Sequence, residues 1–340
     1  MSAKVTFEGH DAVVDCEPNA TMLQAGLRAG LQLPYECASG GCGSCRAQLL
    51  EGDTETLWSD ANGLTERDRR RGNRLLMCQT IPNGNCKIKV PALSSPPAVA
   101  EPRPEHFGGE LVGRVLLTSD TALFTVGLDR PMTFLPGQFV LFQSWAGVRR
   151  AYSMAHPQRA DATMVEFVIK AKPGGSGSIW LFDEISLGDS LMVEGPYGRA
   201  YARPNSEQPV LCVAGGTGLA PILAITEQVL TTGQAPSLHL YVGARSDGDL
   251  VLLDRLVRLR DMGASITLAA EQIGDEPIGN PLLPAVKLGS VVDQVLADWN
   301  HFAGYDIYLG GPAGMVDAAL RALVRHGDAA ADRVFFDRFL

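Results

Sequence analysis

The residues best suited to chemistry are four cysteines. Cys37, Cys42 and Cys45 fall within nine positions of YECASGGCGSCRAQL, and Cys78 follows in RLLMCQT. Such thiols can form a disulfide, hold zinc or hold an iron–sulfur cluster. Seven cysteines in 340 residues is too sparse for a secreted disulfide scaffold, and the number is odd. Zinc ribbons usually carry two C-x2-C knuckles, and here there is one close pair. C-x4-C-x2-C with a distant fourth cysteine is the plant-type [2Fe–2S] spacing, whose centres sit near about −400 mV and move one electron at a time. Ser39, Gly40, Gly41, Gly43 and Ser44 keep side chains clear of a cluster, permit unusual backbone angles and offer N–H groups to its sulfurs. Cys86, in the alternating stretch NCKIKVP, rivals Cys78 for the fourth position, but a free cysteine there is more often simply buried. Cys16 and Cys212 read as core residues.

Two glycine-rich stretches suit phosphate. In VLCVAGGTGLAPILA an apolar strand, a glycine loop and a helix follow in order. Gly216-x-Gly218-x-x-Pro221 is a variant of the dinucleotide fingerprint, with proline in place of the third glycine. Gly175, Ser176, Gly177 and Ser178 in KAKPGGSGSIWLF precede a helical stretch, where free N–H groups and the positive dipole end favour an anion. Read alone, that second stretch is more often a plain flexible turn.

These residues need elements to hold them. Residues 1–93 contain six of the seven cysteines. Residues 94–106, SSPPAVAEPRPEH, are proline-rich without apolar periodicity and read as a semi-extended linker. From 107 to 204, short alternating stretches (GELVGRVLLT, ALFTVGLD, QFVLFQS, MVEFVIKA, SLMVEG) imply an antiparallel barrel or sandwich. From 205 to 340, strands alternate with helices, which implies a doubly wound parallel sheet with its site at the carboxyl ends of the strands.

The bulk numbers exclude other classes. Apolar residues are 46% and charged residues 20%, an ordinary globular balance with room for several cores. A net charge of −9 argues against nucleic acid, and residues beyond 93 carry about eight of those nine charges. No apolar run is long enough to span a bilayer, and MSAKVTFEGHDAVVD lacks a signal-peptide h-region, so a cytoplasmic protein is expected. There is no G-x-S-x-G and no H-E-x-x-H, the six histidines lack metal spacing, and His156 reads as structural. The run ERDRRRGNR reads as a solvated helix face, with a docking patch for an acidic partner as the alternative.

YECASGGCGSCRAQLLEGD with LMCQT resembles a plant-type ferredoxin domain of β-grasp fold. The whole chain resembles the ferredoxin–FAD–NAD(P)H reductase components of bacterial multicomponent oxygenases, closest to those of diiron monooxygenases acting on toluene and related hydrocarbons. The resemblance implies Cys37, Cys42, Cys45 and Cys78 as cluster ligands. Arg150-x-Tyr152-Ser153 in RAYSMAHP matches the family's flavin-binding R-x-Y-S motif. It implies that Arg150 pairs with the pyrophosphate, Tyr152 packs on the isoalloxazine and Ser153 hydrogen-bonds near flavin N5. FLPGQFVLF and EGPYG match neighbouring barrel turns, and Gly175–Ser178 become the FAD pyrophosphate site. Near the end, Phe339 or Phe336 is expected to cover the flavin, with core packing as the equal alternative. YLGGPAGM resembles the family's C-G-P-x-x-M, implying Gly310, Gly311, Pro312 and Met315 at the nicotinamide, with Gly310 in place of the usual cysteine. Thr217 is expected to reach the same end. Arg245 would suit a 2′-phosphate, but Asp247 and Asp249 would repel it, so NADH is expected and NADPH is the alternative; Glu271 lines the same cleft or sits in solvent. The implied function is an NAD(P)H-dependent flavin and iron–sulfur oxidoreductase. It passes electrons from NADH through FAD and a [2Fe–2S] cluster to an oxygenase, a diiron hydroxylase or an intermediary ferredoxin. A Rieske dioxygenase or deoxysugar dehydratase system is the rival acceptor.

Overall fold

The computed structural model describes residues 2–91, 93, 100–144, 147–158, 163–275 and 280–339. The linker residues 94–99 lie outside the described residues. The chain folds as two compact units, one built on residues up to His106 with Glu194–Gly198, the other on Phe107–Val193 and Arg199–Phe339.

In the first unit, the strands Ala3–Glu8 and Ala12–Cys16 form an antiparallel hairpin. The chain then crosses through the helix Met22–Arg28, whose start is fixed by a reciprocal Thr21–Gln24 capping box. The last strand, Cys86–Lys89, returns parallel to the first, so the sheet order is Ala12–Cys16, Ala3–Glu8, Cys86–Lys89, Arg46–Glu51, Arg74–Leu76. This is the β-grasp arrangement. Val5, Phe7 and Ile88 alternate inward against Met22 and Leu23, each fully buried, at about 1.5–3 kcal/mol per side chain. The carboxyl end of the proline-rich stretch is pinned to this helix: Arg28 Nε donates to Pro104 O, and His106 Nε2 lies 3.1 Å from Gln24 Nε2. The next strand begins at Glu105, inside the stretch read as linker, because these contacts hold the backbone extended.

The second unit holds two sheets. Six antiparallel strands run in the order Arg149–Ser153, Phe139–Gln143, Ser190–Tyr197, Glu105–Leu116, Thr121–Leu128, Met164–Lys170. A bridge between Met154 and Phe167 joins the first edge to the last and closes a barrel around Phe124, Phe142, Phe167 and Val193. The other sheet has six strands, Lys287–Leu288, Ser265–Gln272, Leu238–Ser246, Val210–Gly215, Asp306–Pro312 and Val334–Phe339, paired parallel throughout. Its strands are near-continuous apolar runs because both faces are covered. Val210, Cys212, Leu240 and Val242 face the helices Leu219–Thr232 and Leu253–Asp261. Leu211, Val213, Ile307 and Leu309 face Val291–Asp298 and Ala313–Leu320. Strand order reverses beside Val210–Gly215, which is where an open sheet of this kind leaves a crevice. Two ion pairs tie the sheets, Arg255 to Glu166 at 2.5 Å and Lys170 to Asp249 at 3.2 Å; Lys170 also pairs with Asp120 of the barrel at 3.1 Å.

No described helix is long and apolar enough to cross a membrane.

Candidate functional site

The four cysteines come together as two pairs. The loop between the first helix and Arg46–Glu51 brings Cys37 and Cys42 side by side, with the Cys42 N–H 3.4 Å from Cys37 Sγ. Cys45 Sγ lies 3.3 Å from Cys78 Sγ, which a single turn, Met77–Gln79, presents from the far end of the sheet. The Cys42 thiol donates to Cys37. This lowers the Cys37 pKa to about 5 and pushes Cys42 up. Ser44 N–H points at Cys42 Sγ (3.4 Å) and Gln79 Nε2 at Cys78 Sγ (3.9 Å). Two thiol pairs suit two irons with bridging sulfides. The loop closes tightly: a Cβ on Gly43 (φ +77°) would lie 2.5 Å from Gly63 O, and Gly63 N–H donates to Gly40 O at 2.9 Å. Arg46 holds the loop from below, donating to Gly43 O and to Asp68.

The other cysteines are engaged elsewhere. Cys86 Sγ donates to Asp53 O (3.2 Å) and Gly84 O (3.3 Å). Cys16 Sγ donates to Ala20 O, and burial raises its pKa to about 11; Cys212 is fully buried and pushed up to about 12.

On the barrel, Arg149–Ser153 lies against the glycine-rich turn. Arg150 Nη2 donates to Ser176 Oγ at 3.0 Å, and a Cβ on Gly177 would meet Arg150 Cγ at 2.9 Å and Tyr152 Oη at 3.0 Å. The stretch 175–178 therefore forms one surface with Arg150 and Tyr152. Burial pushes the Tyr152 phenol up, and its ring packs on Phe142 at 5.0 Å. Ser178 Oγ accepts from Lys172 N–H at 2.7 Å, which fixes the turn. Ser153 is buried, and its hydroxyl donates to Asp337 Oδ2 at 2.5 Å. Asp337 comes from the edge strand of the parallel sheet and carries no sequence signal of its own. His156 is buried edge-on to Phe134, with Nδ1 2.8 Å from Pro157 O. Phe336 packs into the sheet core, while Phe339 pairs with Pro312 at the end of the edge strand.

At the switch point of the parallel sheet, Gly216 (φ +54°) turns the chain from strand Val210–Gly215 into the helix Leu219–Thr232. Pro221 occupies the first helical turn, where its missing N–H costs nothing. Gly218 is pressed to the neighbouring loop: a Cβ there would lie 2.1 Å from Gly310 O, and a Cβ on Gly310 2.6 Å from Gly218 O. Glycine at 310 is thus required by a backbone-to-backbone approach. A cleft of about 530 Å³ opens beside these loops. Gly216, Thr217, Arg245, Glu271, Pro312 and Met315 line it, whereas Gly218, Pro221, Gly310 and Gly311 are not among its lining residues. Lys170, Asp249, Ser290 and Asp293 also line it and were not anticipated as wall residues. Asp247 turns inward, accepting N–H groups of Gly248 and Gly274, so the acids on the wall are Asp249, Glu271 and Asp293. Ser290 and Asp293 cap the helix Val291–Asp298, and the S-x-x-D pattern of SVVD was the signal for it.

Three family models match in chain order: a 2Fe-2S iron-sulfur cluster binding domain over residues 5–83, an oxidoreductase FAD-binding domain over 109–201 and an oxidoreductase NAD-binding domain over 212–321. The ferredoxin–NAD(+) reductase component of the alkene monooxygenase system of Xanthobacter autotrophicus Py2 is 39% identical over 325 residues, covering 96% of this chain and 97% of the relative. The reductase component of phenol 2-monooxygenase from Pseudomonas sp. CF600 is 30% identical, covering 100% and 95%. Among solved structures, the ferredoxin reductase in carbazole 1,9a-dioxygenase superposes with a TM-score of 0.87 at 34% identity, covering 100% of this chain and 99% of that one. The chain therefore binds FAD, NAD and a [2Fe–2S] cluster, and it belongs to the ferredoxin–NAD(P)+ reductase family that serves multicomponent oxygenases.

Proposed function

We propose that this reductase delivers electrons to the diiron hydroxylase of a hydrocarbon monooxygenase, in the cytoplasm. The observation that carries the electron route is the pairing of thiols: Cys37 with Cys42 for one iron, Cys45 with Cys78 for the other. Bound FAD would take the electron pair of NADH and a bound cluster would release it in single steps, so the work of this chain's residues is to bind and orient those groups. Arg150, Ser176 and Gly177 would hold the FAD pyrophosphate, with Gly175 and Ser178 fixing the turn, Tyr152 would pack on the isoalloxazine and Ser153 would hydrogen-bond near N5. Gly216, Thr217, Gly218 and Pro221 receive the NADH pyrophosphate, and Arg245, Gly310, Gly311, Pro312 and Met315 complete its cleft. Phe339, opposite Pro312 at the end of the edge strand, would cover the flavin. The domains run 1–93, 107–204 and 205–340, with 94–106 joining the first two.

Identity to the alkene monooxygenase reductase component over nearly the full chain supports the diiron acceptor. The naphthalene dioxygenase reductase of Pseudomonas putida, 30% identical, supports the second reading, a Rieske oxygenase. The test is anaerobic reduction of the purified holoprotein with NADH, followed by mixing with each class of oxygenase component. Fast reoxidation by a diiron hydroxylase alone is expected. Reoxidation by a Rieske component alone would move the assignment to the dioxygenases.

A further inference from the structure

One surface of the ferredoxin unit combines features that no cofactor uses. Trp58 leans on the cysteine loop: its indole carbon Cε3 stands 3.1 Å from the position of a Gly40 Cβ, and Gly40 (φ +92°) has no side chain to displace it. The neighbouring Leu57 N–H donates to the carbonyl of Gln79, one residue past Cys78. Trp58 and Leu57 are nonetheless 38% and 49% exposed. A tryptophan and a leucine resting on the cluster loop and open to water form an apolar patch beside the cysteine loop, where burial would otherwise be favourable.

The short helix Glu66–Arg71 stands beside this patch and is fastened to it. Arg69 donates to the carbonyls of Ser59 and Ala61, the latter at 2.7 Å. That leaves Arg67, Arg70 and Arg71 outward and exposed. Arg70 reaches Glu66 only at 3.9 Å between side chains that are 78% and 93% exposed, a pair of little strength, and Arg67 and Arg71 make no ion pair among the described residues. Between 57 and 76 five arginines face three acids, in a chain whose net charge is −9. A local positive rim around an apolar centre is the layout of a transient docking site, with charge steering encounter and the apolar centre making close contact.

We infer that Trp58 and Leu57, ringed by Arg67, Arg70 and Arg71, are where the electron-accepting protein docks on the cluster, and that this acceptor presents an acidic surface. The inference rests on the reading of the chain as a reductase with a protein acceptor. Through Trp58 a docked partner comes within one side chain of the cysteine loop.

The test compares the wild-type holoprotein with Arg67→Glu/Arg70→Glu/Arg71→Glu, Trp58→Ala and Trp58→Phe. NADH-driven reduction is followed with native cytochrome c, which is basic, with succinylated cytochrome c, which is acidic, and with menadione as a small neutral acceptor. Charge reversal is expected to slow the acidic acceptor by about 10-fold or more, to speed the basic one, and to leave menadione unchanged, with the acidic rate losing its salt dependence. Trp58→Ala is expected to slow both proteins severalfold, and Trp58→Phe to restore most of the rate. The cluster's visible circular dichroism shows in each variant that the loop is intact; should Trp58→Ala disturb it, the charge reversal and Trp58→Phe decide. Unchanged rates and salt dependence on both cytochromes after charge reversal would overturn the docking surface. Failure of the wild type to reduce either cytochrome while it reduces menadione would instead strike the reading of a protein acceptor.

Discussion

The cysteine loop and the nucleotide cleft solve opposite problems. Three of the four thiols sit within nine residues, and the loop that carries them is closed by backbone contacts among Gly40, Gly43 and Gly63. The cleft is gathered from the ends of strands whose residues run from Thr121 to Ala318. A metal cluster demands short bonds of fixed geometry, so its ligands are concentrated locally. A dinucleotide is held by many weaker contacts, so its residues can be scattered and the sheet must bring them together.

That contrast is sharpest under mutation of a thiol. Cys45→Ser should abolish the cluster, taking iron and acid-labile sulfide from the two of a 2Fe-2S centre to background, with loss of protein-acceptor reduction. NADH oxidation with menadione should survive, because the cleft shares no residue with the loop. Retained labile sulfide in Cys45→Ser would break the assignment of that thiol.

The next largest effect belongs to the cleft. Gly218→Ala places a Cβ 2.1 Å from Gly310 O, and Gly310→Cys one 2.6 Å from Gly218 O, so the two loops must part. Overpacking of this kind costs about 1–3 kcal/mol, which predicts roughly a 10-fold or greater rise in KM for NADH with iron content untouched. A Gly310→Cys variant with unchanged KM would show that the loops yield freely.

Ser153→Ala should slow flavin reduction by NADH about 10-fold in stopped-flow absorbance, with little change in KM, since orientation at the reacting centre is what it removes. Asp337→Asn keeps a hydrogen bond to Ser153 and should slow the same step less. Equal losses in both variants would argue that the carboxylate charge, beyond its hold on Ser153, matters.

The smallest effect returns to the cluster unit. Asp68 accepts from Thr65 and, next, from Arg46, which together hold its carboxyl at about 2. Its folded-state pKa is depressed, so its contribution is complete above the ordinary carboxylate range and fades as pH falls toward 2. Asp68→Asn should cost about 1 kcal/mol in urea unfolding at pH 7, the worth of a helix cap, and nothing near pH 2.

Legibility in the sequence follows the same division. The thiol spacing, the strand–glycine–helix order around Gly216 and the alternation of apolar residues each name their element, because each is a short-range rule. The barrel and parallel sheet were readable for that reason. Asp337 on Ser153, Gly63 against Gly43 and Gly218 against Gly310 were not, because each depends on two segments meeting at a distance no local pattern encodes. The stretch FFDRFL illustrates the limit. Its aromatics suggested a flavin cover or core packing, but its alternation makes Val334–Phe339 an edge strand. That register sends Phe336 into the core and Asp337 to the barrel.

The hydrogen bond between Ser153 and Asp337 joins a barrel strand to the rim of the parallel sheet inside one unit. Prising the two sheets apart to admit or release a nucleotide would set the serine hydroxyl free to swing. On the proposed placement of Ser153 at the flavin, access to the cleft and alignment there would become a single mechanical variable.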